Sequence, residues 1–168
     1  MLKQYVLTLI GDDKPGLIDS LASVVKNHEG NWLESRMANL AGKFSGIVLV
    51  SIGTEKADAF EAAVTDLKNA GLSVRATAVS EIGSDSRQTK TLTLLANDRP
   101  GILSELTSTL VSLGVNVEEL TTDCSPAPMS NDLLFKASAE VSIPDDMTES
   151  QMRDCLEALA DDLMVEFD

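Results

Sequence analysis

Thr8-Leu9-Ile10-Gly11-Asp12-Asp13-Lys14-Pro15-Gly16-Leu17-Ile18 returns 85 positions later as Thr93-Leu94-Leu95-Ala96-Asn97-Asp98-Arg99-Pro100-Gly101-Ile102-Leu103. Both copies run from an aliphatic stretch into Asp, a base, Pro and Gly, and then into a helical pattern. A repeat of this length is too long for a solenoid unit and suits a small domain, so the sequence predicts one domain present twice. Domains this small are marginal alone, and packing against each other or a partner chain is expected.

Outward from the first copy, residues 5–10 read as a strand. Pro15 stands near a first helical position, and Leu17, Leu21, Val24 and Val25 share a helical face that ends at Gly30. A strand around 33–38 turns at Ala41-Gly42-Lys43 into another over 44–52. Thr54 reads as the cap of a second helix with Phe60, Ala63, Val64 and Leu67 inward, closed by Gly71 and followed by a strand over 72–79. In the second copy a strand over 92–96 precedes a helix lined by Ile102, Leu106, Leu110 and Leu113. A strand over 115–123 leads into a Pro-, Ser- and Asn-rich turn, 124–132, expected to be mobile. Thr148 then opens a helix with Met152, Leu156, Leu159 and Leu163 inward, and 164–167 is the last strand.

The order β-α-β-β-α-β, stated twice, predicts an α+β chain of two ferredoxin-like units. Each would have an antiparallel sheet with two helices on one face. The domains are read as 1–82 and 91–168, joined by a polar linker over 83–90. The third strands differ. Phe135, Ala137, Ala139, Val141 and Ile143 alternate with Lys136, Ser138, Glu140 and Ser142, which predicts one wet face. Ile47-Val48-Leu49-Val50 is apolar on both faces, so the first sheet is expected to be covered on its outer side.

The 168 residues carry a net charge of −14. Residues 1–90 hold 10 Lys/Arg against 11 Asp/Glu, and residues 91–168 hold 3 against 16. Such acidity repels phosphate backbones, and no basic patch or helix-turn-helix stands out, so direct nucleic-acid binding is not expected. The acidic face reads as a solubilising surface or as a docking surface for a basic protein. No apolar run has the roughly 20 residues of a membrane helix, and the N-terminus does not read as a signal peptide. Cys124 and Cys155 lie in unlike contexts, which suggests reduced thiols and a cytoplasmic protein.

Catalysis is hard to build from this inventory. The lone histidine, His28, falls near a helix end with no nucleophile marked beside it. No Cys/His spacing suits a metal, glycine-rich phosphate loops are absent, and no cofactor is implied. The Asp-base-Pro-Gly turn is better placed for binding. A helix that begins at Pro-Gly offers free N–H groups and the positive end of its dipole to a carboxylate. Gly16 and Gly101 lack a Cβ, so a ligand could approach the backbone, while Asp13 and Asp98 could take an ammonium group. The same residues equally suit ordinary turn and cap chemistry.

The motif Asp-x-Pro-Gly-Leu/Ile-Leu/Ile, a helix, and then Gly114-Val115-Asn116-Val117-Glu118 resembles the ACT domain, an amino-acid-sensing regulatory module. The resemblance covers both copies. With Gly30-Asn31-Trp32-Leu33-Glu34-Ser35-Arg36 following its turn, the first copy is most similar to tandem-ACT transcriptional repressors of glycine use, which carry no DNA-binding domain. It implies a cytoplasmic regulator that senses a small amino acid, glycine above others, and represses through contact with a transcription activator. It also implies a ligand held between modules, by the strand-one/helix-one turn of one and strand two of its neighbour. Carried over, the ligand-binding candidates are Asp13, Lys14, Gly16, Leu17 and Asn31 in the first copy. In the second they are Asp98, Arg99, Gly101, Ile102 and Asn116. Asn116 holds the family's Asn position; in the first copy Trp32 is read there, with Asn31 one residue earlier, which would make the sites unequal. Trp32 itself reads as a core or interface side chain. A homodimer fits this picture. Other readings are a detached regulatory subunit of an amino-acid-metabolic enzyme and an interaction module without ligand.

Overall fold

The computed structural model describes residues 1–80 and 87–168. The first unit runs β1 (Leu2–Asp12), α1 (Leu17–Asn27), β2 (Asn31–Leu40), β3 (Lys43–Gly53), α2 (Ala57–Asp66) and β4 (Leu72–Ala78). The second runs β5 (Gln88–Asn97), α3 (Ile102–Ser112), β6 (Asn116–Pro126), β7 (Leu133–Ile143), α4 (Glu149–Glu157) and β8 (Met164–Phe167). Their sheets have the orders β2-β3-β1-β4 and β6-β7-β5-β8, antiparallel throughout. Each unit is the expected ferredoxin-like βαββαβ fold. The chain divides compactly at Gly83/Ser84. Residues 83–86 of the linker expectation lie outside the described residues, whereas 88–90 are already paired in β5 opposite Ile143, Ser142 and Val141.

Period-two alternation decides which strand residues enter the core. Tyr5, Leu7 and Leu9 of β1 and Val48, Val50 and Ile52 of β3 meet Leu17, Leu21 and Val25 of α1 and Phe60 and Val64 of α2. Leu92, Leu94, Phe135, Ala137, Ala139, Val141 and Ile143 meet Ile102, Leu106, Leu110, Met152 and Leu156 in the second unit. Tyr5 is buried yet satisfied, its hydroxyl donating to Glu61 Oε1 at 2.5 Å. His28 closes α1, with Nδ1 2.8 Å from the Val24 carbonyl and its ring edge-on to Phe60. Because a carbonyl only accepts, that nitrogen carries the proton.

Four local expectations change. Thr54 caps no helix. It opens a 3₁₀ turn, Thr54–Lys56, and its hydroxyl reaches the Met1 carbonyl at 3.3 Å. The α4 helix ends at Glu157, so Leu163 is buried from the turn that follows. The turn read over 124–132 shrinks to 127–132, because Cys124, Ser125 and Pro126 continue the ladder opposite Phe135, Leu134 and Leu133. The first unit closes the same hairpin with two residues, Ala41 at φ 51° and Gly42 at φ 77°. Both angles are positive, as in the turn whose twist matches paired strands. Finally, the outer face of the first sheet carries Val6, Leu49 and Ile47 around an open hollow of about 220 Å³. Ile47 is 49% exposed, so no element of the unit covers it.

Candidate functional site

Both repeated turns build the same backbone feature. Helix α1 starts behind Gly16 at φ 92° and α3 behind Gly101 at φ 86°, and no side chain caps either helix. Pro15 is therefore not the first helical residue; it sits in the turn that Gly16 completes. An added Cβ at Gly16 or Gly101 would meet nothing within 4 Å. The left-handed backbone, not crowding, thus calls for glycine here. The result is an open helix start whose first N–H groups lack a side-chain acceptor. The Leu17 and Ile102 side chains are buried in their cores, and Ile102 also borders a small hollow with Arg99, Glu105 and Leu106.

The charged members of the turn are already engaged. Asp13 accepts a hydrogen bond from Asn39 Nδ2, and its own N–H donates to the Gly42 carbonyl at 3.0 Å. The Asp98 N–H donates to the Leu133 carbonyl at 2.8 Å. Each loop is thereby clasped to the hairpin that follows the second strand of its unit. Desolvation, then the Asp98 carboxylate, raises the Cys124 thiol above its ordinary pKa.

The two bases differ. Arg99 grips Glu105 in the first turn of α3 with a fork of 2.8 and 2.6 Å, and this bond depresses the Glu105 carboxyl. Lys14 instead reaches over Gly71, where a Cβ would meet its Nζ at 2.6 Å. Nearby, Asp12 pairs with Lys43, which lowers the Asp12 carboxyl. Asn39, Cys124 and Glu105 were not among the sequence candidates. The signal for the first two was present, since positions 39 and 124 keep the 85-residue offset of the repeat.

Register corrects the expected asymmetry of the asparagines. Asn31 faces Ser51 and Trp32 faces Val50, then a bulge skips Leu33. Asn116 faces Ser142 and Val117 faces Val141, then a bulge skips Glu118. Asn31 and Asn116 are therefore equivalents, and Trp32 corresponds to Val117, each packed against its own core. The misalignment came from the glycines. The left-handed position after the helix is Gly114 at φ 70° in one unit and Glu29 at φ 53° in the other, while Gly30 corresponds to Val115. Matching Gly30 to Gly114 shifts the reading by one residue.

Within a unit, the asparagine and the aspartate turn are not brought together. Asn31 lies level with Gln4 across β3, while the turn begins after Asp12, eight residues along β1. At the rise of a strand that is about 26 Å. Asn31 borders its own open hollow with Val25, Lys26 and Trp32. Among the described residues, no group of three His, Cys, Asp or Glu side chains could hold a metal, and no helix is long and apolar enough to cross a membrane.

Residues 3–77 match the ACT domain family. Over its full length the chain aligns with 98% of the crystal structure of an unknown protein from Galdieria sulphuraria, at 25% identity and a TM-score of 0.84. It likewise aligns over its full length with 97% of a protein proposed to be a glycine cleavage system transcriptional repressor, at 17% identity and a TM-score of 0.75. No curated protein matches the chain.

Proposed function

We propose that this chain is a cytoplasmic, non-catalytic regulator that senses a small amino acid, with glycine favoured, because residues 3–77 match the ACT domain family and the second unit repeats the same fold. The observation that carries the reading is the open helix start at Gly16, inside the matched ACT domain and repeated at Gly101. An uncapped helix start suits the ligand's carboxylate, and Asp13 or Asp98 beside it suits the ammonium group. Asn31 and Asn116 stand apart from such a site, about 26 Å from the turn of their own unit.

The output is contact with a protein, a transcription activator, rather than with DNA. The 16 acidic against 3 basic residues of positions 91–168 support this, since they repel nucleic acid. Ligand binding favours one conformation of the chain, and that conformation has a different affinity for the partner. Calorimetric titration with glycine, serine and branched-chain amino acids tests the sensor. Glycine is expected to bind and to be lost in Asp13→Ala/Asp98→Ala; heat from none of these ligands refutes the reading. Affinity capture with and without glycine tests the output: a transcription activator retained in a glycine-dependent amount is expected, and a biosynthetic enzyme retained in its place refutes the repressor role.

A further inference from the structure

In the second unit the Asn97 N–H, at the end of β5, donates to the Asp162 carboxylate at 2.7 Å. A carboxylate thus already binds the backbone at this point of the fold. The first unit keeps the donor and lacks the carboxylate. Asp12 is the counterpart of Asn97 by the 85-residue offset. Its N–H points toward β4, because successive N–H groups of a strand alternate in direction and that of Asp13 goes to Gly42 on the β3 side. Ile10 faces Ser73 as Leu95 faces Met164, so two residues earlier Gly71 stands where the second unit has Asp162.

Cations gather there instead. Lys14 Nζ lies over Gly71, 2.6 Å from the point a Cβ would occupy. Beside it, an open hollow of about 360 Å³ is lined by Gly11, Asp12, Lys43, Lys68, Gly71 and Ser73. Asp12 pairs with Lys43, and Asp13 is turned to Asn39. Lys14 and Lys68 have no carboxylate partner among the described residues. The second unit repeats none of this: Leu134 faces Asn97 where Lys43 faces Asp12, and Arg99 is bound to Glu105.

We infer that the hollow of the first unit binds a phosphate group, with Lys14 and Lys68 as ammonium donors and the Asp12 N–H as the backbone donor. Two uncompensated positive charges match the roughly −1.5 to −2 of a phosphate monoester near neutral pH, and charge-assisted bonds are the strong ones. Gly11 and Gly71 add no side chain between the ligand and the backbone. This site does not rest on the amino-acid-sensing reading, whose observation is the helix start at Gly16.

Calorimetry on the full chain at low ionic strength tests it, with inorganic phosphate, glycerol 3-phosphate and succinate as probes. Both phosphates are expected to bind, and Lys14→Gln and Lys68→Gln are each expected to weaken them about tenfold. A tighter monoester marks a phosphorylated small molecule as the source; equal affinities mark free phosphate. Gly71→Asp, which transplants the second unit's carboxylate, is expected to remove binding, whereas the uncharged Gly71→Asn keeps most of it. Both side chains tolerate the left-handed backbone of Gly71, at φ 88°. Heat from neither phosphate, affinities that ignore both lysines, equal effects of Asp and Asn at position 71, or succinate bound as tightly as the monoester overturns the inference. The glycine titration bears on the sensing reading alone.

Discussion

Replacing Gly101 with alanine isolates a backbone effect from a packing effect. The residue sits at φ 86°, and an added Cβ would find nothing within 4 Å. The cost is therefore that of a side chain in the left-handed region alone, roughly 1–2 kcal/mol. For a unit of this size, each kcal/mol lowers the melting temperature by about 4–8 °C. Asparagine tolerates that region better than other residues, so Gly101→Asn should cost less than Gly101→Ala. Gly46 supplies the contrast. It shows no positive φ, but its added Cβ would overlap the Arg36 carbonyl and lie 2.8 Å from Met37 Cα. Because those atoms are backbone, β2 and β3 would have to part, and Gly46→Ala should cost roughly 2–3 kcal/mol, the upper end of overpacking. Thermal unfolding followed by circular dichroism, with urea midpoints as a check, should rank the losses with Gly101→Asn smallest, Gly101→Ala next and Gly46→Ala largest. An asparagine worse than alanine at position 101, or equal alanine losses at positions 101 and 46, would refute the argument that φ alone demands glycine in the turn.

Three further outcomes follow from the same geometry. Phe60→Ala removes a fully buried ring that contacts Tyr5 and His28 and should cost about 3–5 kcal/mol in urea unfolding. Thr148→Ala removes the hydroxyl that accepts from the Gln151 N–H at the start of α4, and should cost about 1 kcal/mol by the same measurement. The Tyr5 hydroxyl is the largest cause that lowers the Glu61 carboxyl. A depressed folded value means this contribution is present above the unfolded value of about 4.3 and is lost as pH falls through the folded one. Tyr5→Phe should therefore destabilise at pH 7 by about 0.5–1 kcal/mol, kept low by the exposure of Glu61, and should flatten the loss of stability below about pH 4.3 in acid-unfolding curves.

Much of the fold was legible because its signals are periodic and local. All five apolar members of the Phe135 to Ile143 series are buried, and the alternation fails only at Ser142, which was read on the wet face and is buried as well. Leu17 and Leu21, like Ile102, Leu106 and Leu110, follow the 3.6-residue period into their cores. Boundaries failed where a side chain found a partner that composition does not reveal. Pro126 looks like a turn residue, yet at the end of a hairpin strand it remains in the ladder opposite Leu133. Thr54 looks like a cap, yet its hydroxyl turns to the Met1 carbonyl across the sheet.

The candidate site was legible in half. The sequence by itself determined that two like units exist, that each begins its first helix behind an Asp-base-Pro-Gly turn, and that the acidic charge gathers in the second. Repetition and charge need no third dimension. Only the tertiary structure decided that Asn31 rather than Trp32 matches Asn116, that Asn39 holds the Asp13 carboxylate, and that Arg99 is spent on Glu105 while Lys14 lies over Gly71. Strand register sets the first of these, and one residue of slip in a period-two element exchanges its faces. The others are contacts of polar side chains across a turn and a hairpin, chosen by distance after the backbone has closed.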